Sequence, residues 1–394
     1  MLVFSEKLVY NTNMYLTDEE IQKLKNNDVP SYRNIFPPDI SNIYTNELVK
    51  LLGEANRAIG NLNSSKKIIP NPDLLVGPVL LKEALASSKI EGTQTTLRDV
   101  VQEEANLAFD DSYEQLQAKE VVNHMMATRL GIELVEKYSL TSRVFKEMHQ
   151  LLLSKVRGTH TTLGDFRVGK NAIQKNDQII YLPPDQTEVP NLMSILERYL
   201  NAPSNNDVYD PLLRAAITHY QFEAIHPFAD GNGRLGRALI SLQLIKEGVL
   251  RYPVLYLSGY LLKERKNYDE CLLNVTLNED WTGWITFFLN GIKEQATRSE
   301  NIVDQIFHLY EESREIARKS IKTSNVDPLI TLIFKKNAVS TKDVMDELHL
   351  SSHTAAINLL RRLVNLKLLS ITNPSTKRNI HFTNEPLIKL LETV

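Results

Sequence analysis

Apolar residues recur at helical spacing through most of the chain. Between Thr45 and Gly60, the positions Leu48, Leu51, Leu52, Ala55 and Ile59 fit one helix face. Pro78 at a first-turn position and Gly92 just past an end frame a helix over about 78–91. Asp210-Pro211 reads as cap and first residue of a stronger helix, apolar on nearly every side through Ile225 and therefore central and buried. A glycine-rich break at 231–236 is followed by Leu235, Ala238, Leu239, Leu242 and Ile245 at helical spacing, with Gly248 as a stop. Further helices are expected near 261–277 and 281–296, then a long charged one over 297–322 that Ser324-Asn325 interrupts. Trp281, Trp284, Phe287 and Phe288 have the spacing of core residues rather than of a ligand wall.

The helical period fails in three places. Residues 1–46 read as an irregular arm, because Asn26-Asn27-Asp28 and Phe36-Pro37-Pro38-Asp39 are turn and extended signals. Around 164–185, Gly164, Gly169, Lys175-Asn176-Asp177 and Pro183-Pro184 surround the short run Ile179-Ile180-Tyr181, which suggests a hairpin. In the tail, Ser340–Leu348 and Ser351–Leu366 read as two helices, and Asn373-Pro374-Ser375 as the turn of a short hairpin over Ser370–Phe382. The fold class is therefore mainly α. Its expected parts are an N-terminal arm and helical region (1–114), a helical core (115–300), a connecting helix (301–325) and a small tail domain (326–394).

Composition narrows the function. The chain has 394 residues with a formal net charge of −3, 24% charged residues and 42% apolar ones, which excludes a disordered or fibrous protein. Its one cysteine can form no intramolecular disulfide and no multi-cysteine zinc site, so a reducing cytoplasm fits. Glu6 and Lys7 interrupt any signal-like stretch, and no run of about 18 apolar residues occurs, so a soluble, untargeted protein with no membrane partner is expected.

The candidate chemistry lies between the two strongest helices, in His226-Pro227-Phe228-Ala229-Asp230-Gly231-Asn232-Gly233-Arg234-Leu235-Gly236-Arg237. Gly231, Asn232 and Gly233 let the backbone turn sharply toward a ligand, and the N–H groups opening the next helix point at an anion. Arg234 and Arg237 are three apart and both reach phosphate oxygens. Asp230 supplies a hard oxygen ligand suited to Mg²⁺ bridged to phosphates. His226 is the segment's only group able to take a proton near neutral pH. The other histidines, including His149, His160, His219, His308 and His353, show no ligand spacing and read as packing or surface residues.

This segment resembles the signature of the Fic-domain family, H-x-F-x-[D/E]-G-N-G-R-x-x-R, at every specified position. The resemblance implies a protein adenylyltransferase that moves AMP from ATP to a Ser, Thr or Tyr hydroxyl of a protein, itself included, and releases pyrophosphate. It implies His226 as general base and Asp230 as ligand of Mg²⁺ or Mn²⁺. Nucleotide contacts are implied along Gly231, Asn232, Gly233, Arg234, Leu235, Gly236 and Arg237: Gly231–Gly233 as anion hole, Asn232 against the phosphates, Arg234 supporting the loop and Arg237 on the γ-phosphate. Gly233 separates the chain from the kinase branch resembling Doc toxins, which has lysine there.

Ser87-Ser88-Lys89-Ile90-Glu91-Gly92 closes the helix at 78–91. Ser87 and Glu91 share a face, and a carboxylate in a helix's last turn opposes the dipole unless a cation answers it. The hexapeptide resembles the family's inhibitory motif, [S/T]-x-x-x-E-[G/N], which implies that Glu91 pairs with Arg237 where the γ-phosphate belongs. The hairpin resembles the family's flap, so Ile179, Ile180 and Tyr181 are expected as an exposed strand edge that docks an extended target. Tyr268 lies where the family often carries an adenine-side tyrosine pair, of which only one is present here.

The tail resembles a winged helix. Residues 326–394 carry six Lys and three Arg against three Asp and three Glu, a surplus of +3 that leaves −6 for the rest. Arg361, Arg362, Lys367, Lys377 and Arg378 could meet phosphates, but the second helix opens with short side chains, so a scaffold or homodimer role is favoured over DNA. Two alternatives stand beside AMP transfer. One is a DNA-binding regulator with a nucleotide-sensing core; the other is an enzyme of this fold moving UMP or phosphocholine.

Overall fold

A computed structural model describes residues 15–64, 73–105, 113–156, 162–175, 178–202, 209–372 and 380–393. In chain order its helices are α1 (Asp18–Asn26), α2 (Asn46–Ser64), α3 (Asp73–Ile90), α4 (Leu97–Glu104), α5 (Tyr113–Tyr138) and α6 (Ser142–Leu152). Strands β1 (Ile173–Lys175) and β2 (Gln178–Tyr181) follow, then α7 (Val189–Asn201), α8 (Pro211–Ile225), α9 (Asn232–Lys246), α10 (Ser258–Lys263), α11 (Arg265–Asn278) and α12 (Trp281–Ser320). The tail comprises α13 (Val326–Lys335), β3 (Ala338–Ser340), α14 (Thr341–Glu347), α15 (His353–Asn365), β4 (Ser370–Ile371), β5 (His381–Thr383) and α16 (Glu385–Thr393). The fold is mainly α, as its pattern predicts.

At the centre α8 packs on α9. Every α8 residue except Pro211 and Glu223 is buried, which is why its apolar residues occupy all faces. Asp210 caps it by accepting the Leu212 N–H at 2.8 Å. Trp284, fully buried on α12, donates its indole N–H to the Ala216 carbonyl at 2.9 Å and ties the long helix to this centre. Helix α5 packs against α3, α6 and α9. Strands β1 and β2 form an antiparallel two-stranded sheet with Gln174 opposite Ile179, and Asn176 and Asp177, where a turn is expected, lie outside the described residues.

Four expectations change. The arm is not irregular throughout, because α1 forms at Asp18 behind a capping box between Thr17 and Glu20. None of its residues is buried, so no apolar period announces it. Helix α3 starts before Pro78, which sits inside it and forgoes one backbone hydrogen bond; burial of Leu74, Leu75, Val79, Leu80 and Leu81 offsets that loss. The helix expected over 261–277 breaks at Glu264 into α10 and α11. The two expected over 281–322 are one 40-residue helix, α12, whose buried stripe runs unbroken from Trp284 through Ala296, Ser299 and Ile306 to Ala317.

From α13 onward the order is helix, strand, two helices, two strands and a last helix, with the sheet ordered β3-β5-β4 and antiparallel. Asn373, Pro374, Ser375, Lys377 and Arg378 lie outside the described residues. The tail packs on α3 and α4. Lys82 of α3 donates to the Leu391 carbonyl at 2.8 Å, Arg98 of α4 pairs with Glu385 at 2.8 Å, and Leu329, Ile330 and Ile333 join the same apolar core as α2, α3 and α12.

Candidate active site

The chain leaves α8 through His226, whose left-handed backbone (φ 49°) caps the helix with an N–H donated to Phe222 O. Five residues on, Gly231 (φ 79°) opens α9, at a conformation glycine adopts without a side-chain penalty. The side chain of Asn232 closes the loop between them. Its Oδ1 accepts the Phe228 N–H at 2.8 Å, and its Nδ2 donates to the Phe228 carbonyl at 2.9 Å. That amide therefore faces the loop rather than a phosphate, which corrects the expected placement of its side chain.

The first intrahelical bond of α9 runs from Leu235 N–H to Gly231 O at 3.0 Å. The N–H groups of Asn232, Gly233 and Arg234 therefore have no partner within the helix, and among the described residues no side chain caps them. Together with the helix dipole they form a ready site for an anion. Leu235 and Gly236 do not share in it. Leu235 is buried with Phe222, Ile225 and Phe228, and Gly236 faces Phe222 and Glu223 while its carbonyl takes a bond from His219. Both point away because one helical turn carries them to the core side.

His226, Asp230, Gly231–Arg234, Arg237, Glu91 and Tyr268 line one cavity of about 390 Å³. Burial, reinforced by the Arg167 guanidinium, holds the His226 imidazole down at about 4, so it is neutral at pH 7 and able to take a proton. Asp230 presents a partly exposed carboxylate whose Oδ1 accepts the Gly231 N–H at 2.6 Å and stands 3.6 Å from Arg234. Arg234 is buried, and its Nε and Nη1 have no hydrogen-bond partner among the described residues.

Arg237 is engaged. Its Nε donates to Ser87 Oγ at 2.8 Å, and its Nη2 donates to the Ser87 carbonyl at 2.9 Å and to Glu91 Oε1 at 2.5 Å. The cation expected opposite Glu91 is thus this guanidinium. Burial pushes the Glu91 carboxyl up, but Arg237, then Arg265 and Arg234, outweigh it and hold the group ionised. A Cβ placed on Gly233 would collide with Glu91 Oε1 and approach Arg237 Nη1 to 2.9 Å, so the carboxylate lies directly on the opening turn of α9.

The hairpin meets the site in part. Ile173, Ile180 and Tyr181 line the cavity. Tyr181 is not an exposed edge residue: it is buried, and its hydroxyl donates to the Ala224 carbonyl at 2.9 Å because the next strand position is already anchored, Leu182 bonding to Pro30 and Tyr32 of the arm. Among the described residues no strand pairs with the outer edge of β2 over Gln178–Tyr181. Tyr268 is buried as well. His219 donates Nδ1–H to the Gly236 carbonyl (2.9 Å), which leaves Nε2 to accept the Tyr268 hydroxyl proton at 2.7 Å.

Three groups have no signal in the sequence. Arg167, buried, donates Nε to the His226 carbonyl at 2.9 Å, Nη1 to Gly169 O at 3.1 Å and Nη2 to Pro184 O, joining the loop to both ends of the hairpin. His149 stacks on Phe228 with ring centroids 4.1 Å apart. It accepts the Gly164 N–H at Nδ1, so its Nε2–H points to the Asp230 carbonyl at 3.2 Å. Glu223 lines the cavity, and burial pushes its carboxyl up to about 7. Each lies outside the twelve-residue segment, and only the folded chain brings it there.

Two family profiles match the chain: the Fic/DOC family N-terminal profile over residues 49–133 and the Fic/DOC family profile over 139–244. Curated relatives include the protein adenylyltransferase Fic of Drosophila sechellia and that of Drosophila melanogaster, each 33% identical over 124 residues, or 32% of this chain and 23% of the relative. The match thus spans about a quarter of those proteins. Among solved structures, a Fic family protein from Desulfovibrio desulfuricans G20 is similar over 86% of this chain and 96% of its own, with TM-score 0.55 and 25% identity. A fragment of Fic-1 from C. elegans shares the fold over 68% of this chain and 75% of its own, with TM-score 0.52 and 20% identity.

Proposed function

We propose that this chain, which belongs to the Fic family, is an autoinhibited protein adenylyltransferase. The observation that carries the reading is the uncapped start of α9 beside a neutral His226, with Arg237 held by Glu91 in the same cavity. In the reaction a target hydroxyl oxygen attacks the α-phosphorus of ATP, its proton passes to His226, and the bond between the α-phosphorus and the bridging oxygen breaks to release pyrophosphate. The N–H groups of Asn232, Gly233 and Arg234 stabilise charge on the phosphoryl oxygens, where fixed donors act without reorganising. Asn232 serves through its backbone, with its side chain holding the loop. Arg234, whose Nε and Nη1 make no hydrogen bond among the described residues and whose Nη1 stands 3.9 Å from the Glu120 carboxylate, and Arg237 take the outer phosphates.

Asp230 fits the divalent ion that such a nucleotide brings, since a partly exposed carboxylate beside an anion site is how Mg²⁺ is commonly held together with phosphate oxygens and water. Mg²⁺ or Mn²⁺ there would neutralise phosphate charge. Ile179 and Ile180, on the open edge of β2, receive an extended target segment through main-chain hydrogen bonds. Glu91 withholds Arg237 from the γ-phosphate, and Ser87 holds the same guanidinium in place. The element order from α13 to β5 supports a winged-helix reading of the tail.

The test is a donor panel on the Glu91→Gly protein: ATP, GTP, UTP and CDP-choline, each labelled, with the adduct located by mass spectrometry. Label from ATP above a His226→Ala control is the expected result. Label from UTP or CDP-choline alone would replace this reading with another group transfer.

A further inference from the structure

Arg237 is not the only guanidinium on the end of α3. Arg265, the first residue of α11, donates Nη1 to the Ile90 carbonyl. Its Nε contacts both carboxylate oxygens of Asp269, one turn on, at 3.0 and 3.1 Å. Asp269 in turn accepts Lys175 Nζ of β1 at 3.0 Å, so the orienting carboxylate is itself held from the flap side. Arg265 and Asp269 are each 17% exposed, a setting in which a charge pair is only partly screened.

The last carbonyls of a helix have no donor within it and carry the negative end of its dipole. Here two of them are answered by cations from different helices: Ser87 O by Arg237 of α9 and Ile90 O by Arg265 of α11. Ile90 adjoins Glu91 directly, and Gly92 beyond it turns left-handed at φ 87°. The field of Arg265 is also the second largest influence favouring the ionised Glu91, after that of Arg237. The position of the inhibitory carboxylate is therefore set on one side by its own ion pair and on the other by a backbone clamp.

We propose that Arg265 is a positioning residue of the inhibited state: oriented by Asp269, it clamps the C-terminal end of α3 through the Ile90 carbonyl and keeps the Glu91 carboxylate seated on Arg237. The proposal rests on the reading that Glu91 withholds the nucleotide site. It goes beyond that reading by assigning the hold on α3 to a residue outside both the loop and the inhibitory hexapeptide.

Epistasis tests it on the full-length protein. ATP affinity is measured by calorimetry, and self-modification with labelled ATP, for wild type, Arg265→Gln, Glu91→Gly and the double variant. Arg265→Gln alone is expected to raise ATP affinity and self-modification about tenfold, a change of about 1.4 kcal/mol. In the Glu91→Gly background it is expected to change neither, because the carboxylate it positions is gone. Arg265→Lys, which keeps the charge and loses the fork, should lie between wild type and Arg265→Gln. Asp269→Asn should act in the same direction, and it guards against a folding defect peculiar to position 265.

An equal loss in both backgrounds would make Arg265 a nucleotide ligand or a structural residue and overturn the proposal. So would no change in either. If Glu91→Gly leaves ATP affinity and self-modification unaltered, the inhibitory reading fails and takes the clamp with it. If Glu91→Gly activates and Arg265→Gln does not, the clamp alone fails.

Discussion

Acidification tests the buried charge balance around the cavity. Four imidazoles, three buried and the fourth (His226) partly so, are held neutral chiefly by desolvation: His124 at about 3, His149 at about 4, His219 at about 3 and His226 at about 4, all from an ordinary 6.5. Two carboxyls shift the other way, Glu83 and Glu223, each pushed by burial from 4.5 up to about 7. Between pH 6.5 and 4.5 the unfolded chain therefore carries four imidazole protons that the native chain refuses, while the native chain carries two carboxyl protons that the unfolded chain has lost. The unfolded state binds two more protons, so stability falls as pH falls, by about 3 kcal/mol per pH unit and roughly 5 kcal/mol across the window. That is a large share of the ~5–15 kcal/mol that usually holds a domain. Urea melts of the full chain at pH 6.5, 5.5 and 4.5, followed by circular dichroism, measure it. His124→Gln removes one refused proton and should halve the slope. Stability that is level or rising on acidification would show that these imidazoles are not held neutral in the native state.

Two substitutions probe how the loop is held. Arg167→Met deletes the donors to His226, Gly169 and Pro184. It should cost about 3 kcal/mol in a denaturant melt and, by letting His226 drift, about 100-fold in transfer by the Glu91→Gly protein; unchanged transfer would show that His226 is positioned without it. Asn232→Ala leaves the Phe228 N–H unpaired and its carbonyl with only the Asn171 amide at 3.4 Å, and should lower stability by about 1–3 kcal/mol while ATP binding, read by calorimetry, falls with it; wild-type stability would mean the amide does not close the loop.

Much of this site is legible in the chain because its chemistry is contiguous. His226 through Arg237 sit within twelve residues, and the pairing of Glu91 with a cation follows from a carboxylate placed in a helix's last turn. What is not legible depends on distance or on packing. Arg167 and Arg265 act by donating to backbone carbonyls, and such bonds leave no residue pattern. Tyr181 reads as an exposed strand residue from its neighbours, yet its ring is buried and its hydroxyl is taken up by Ala224 O. Leu235 and Gly236 belong to the loop by sequence and to the core by helical phase. Polar helix α1 escapes an apolar period altogether, and α12 reads as two helices because its composition changes midway while its buried stripe does not.

In the proposed function a nucleotide site lies at the start of α9 and Glu91 holds it shut. Working against the Arg237–Glu91 pair should cost ATP about 2–4 kcal/mol of productive binding, since close charge pairs in partly buried settings couple by about that much. The direct measurement is the rate at which label from the α-phosphate of ATP enters the full-length protein, compared among wild type, Glu91→Gly, and Glu91→Gly combined with His226→Ala. The expected rate is roughly 30-fold to 1,000-fold higher for Glu91→Gly than for wild type, falling to background in the double variant. Equal rates for wild type and Glu91→Gly, or label that persists without His226, would contradict it.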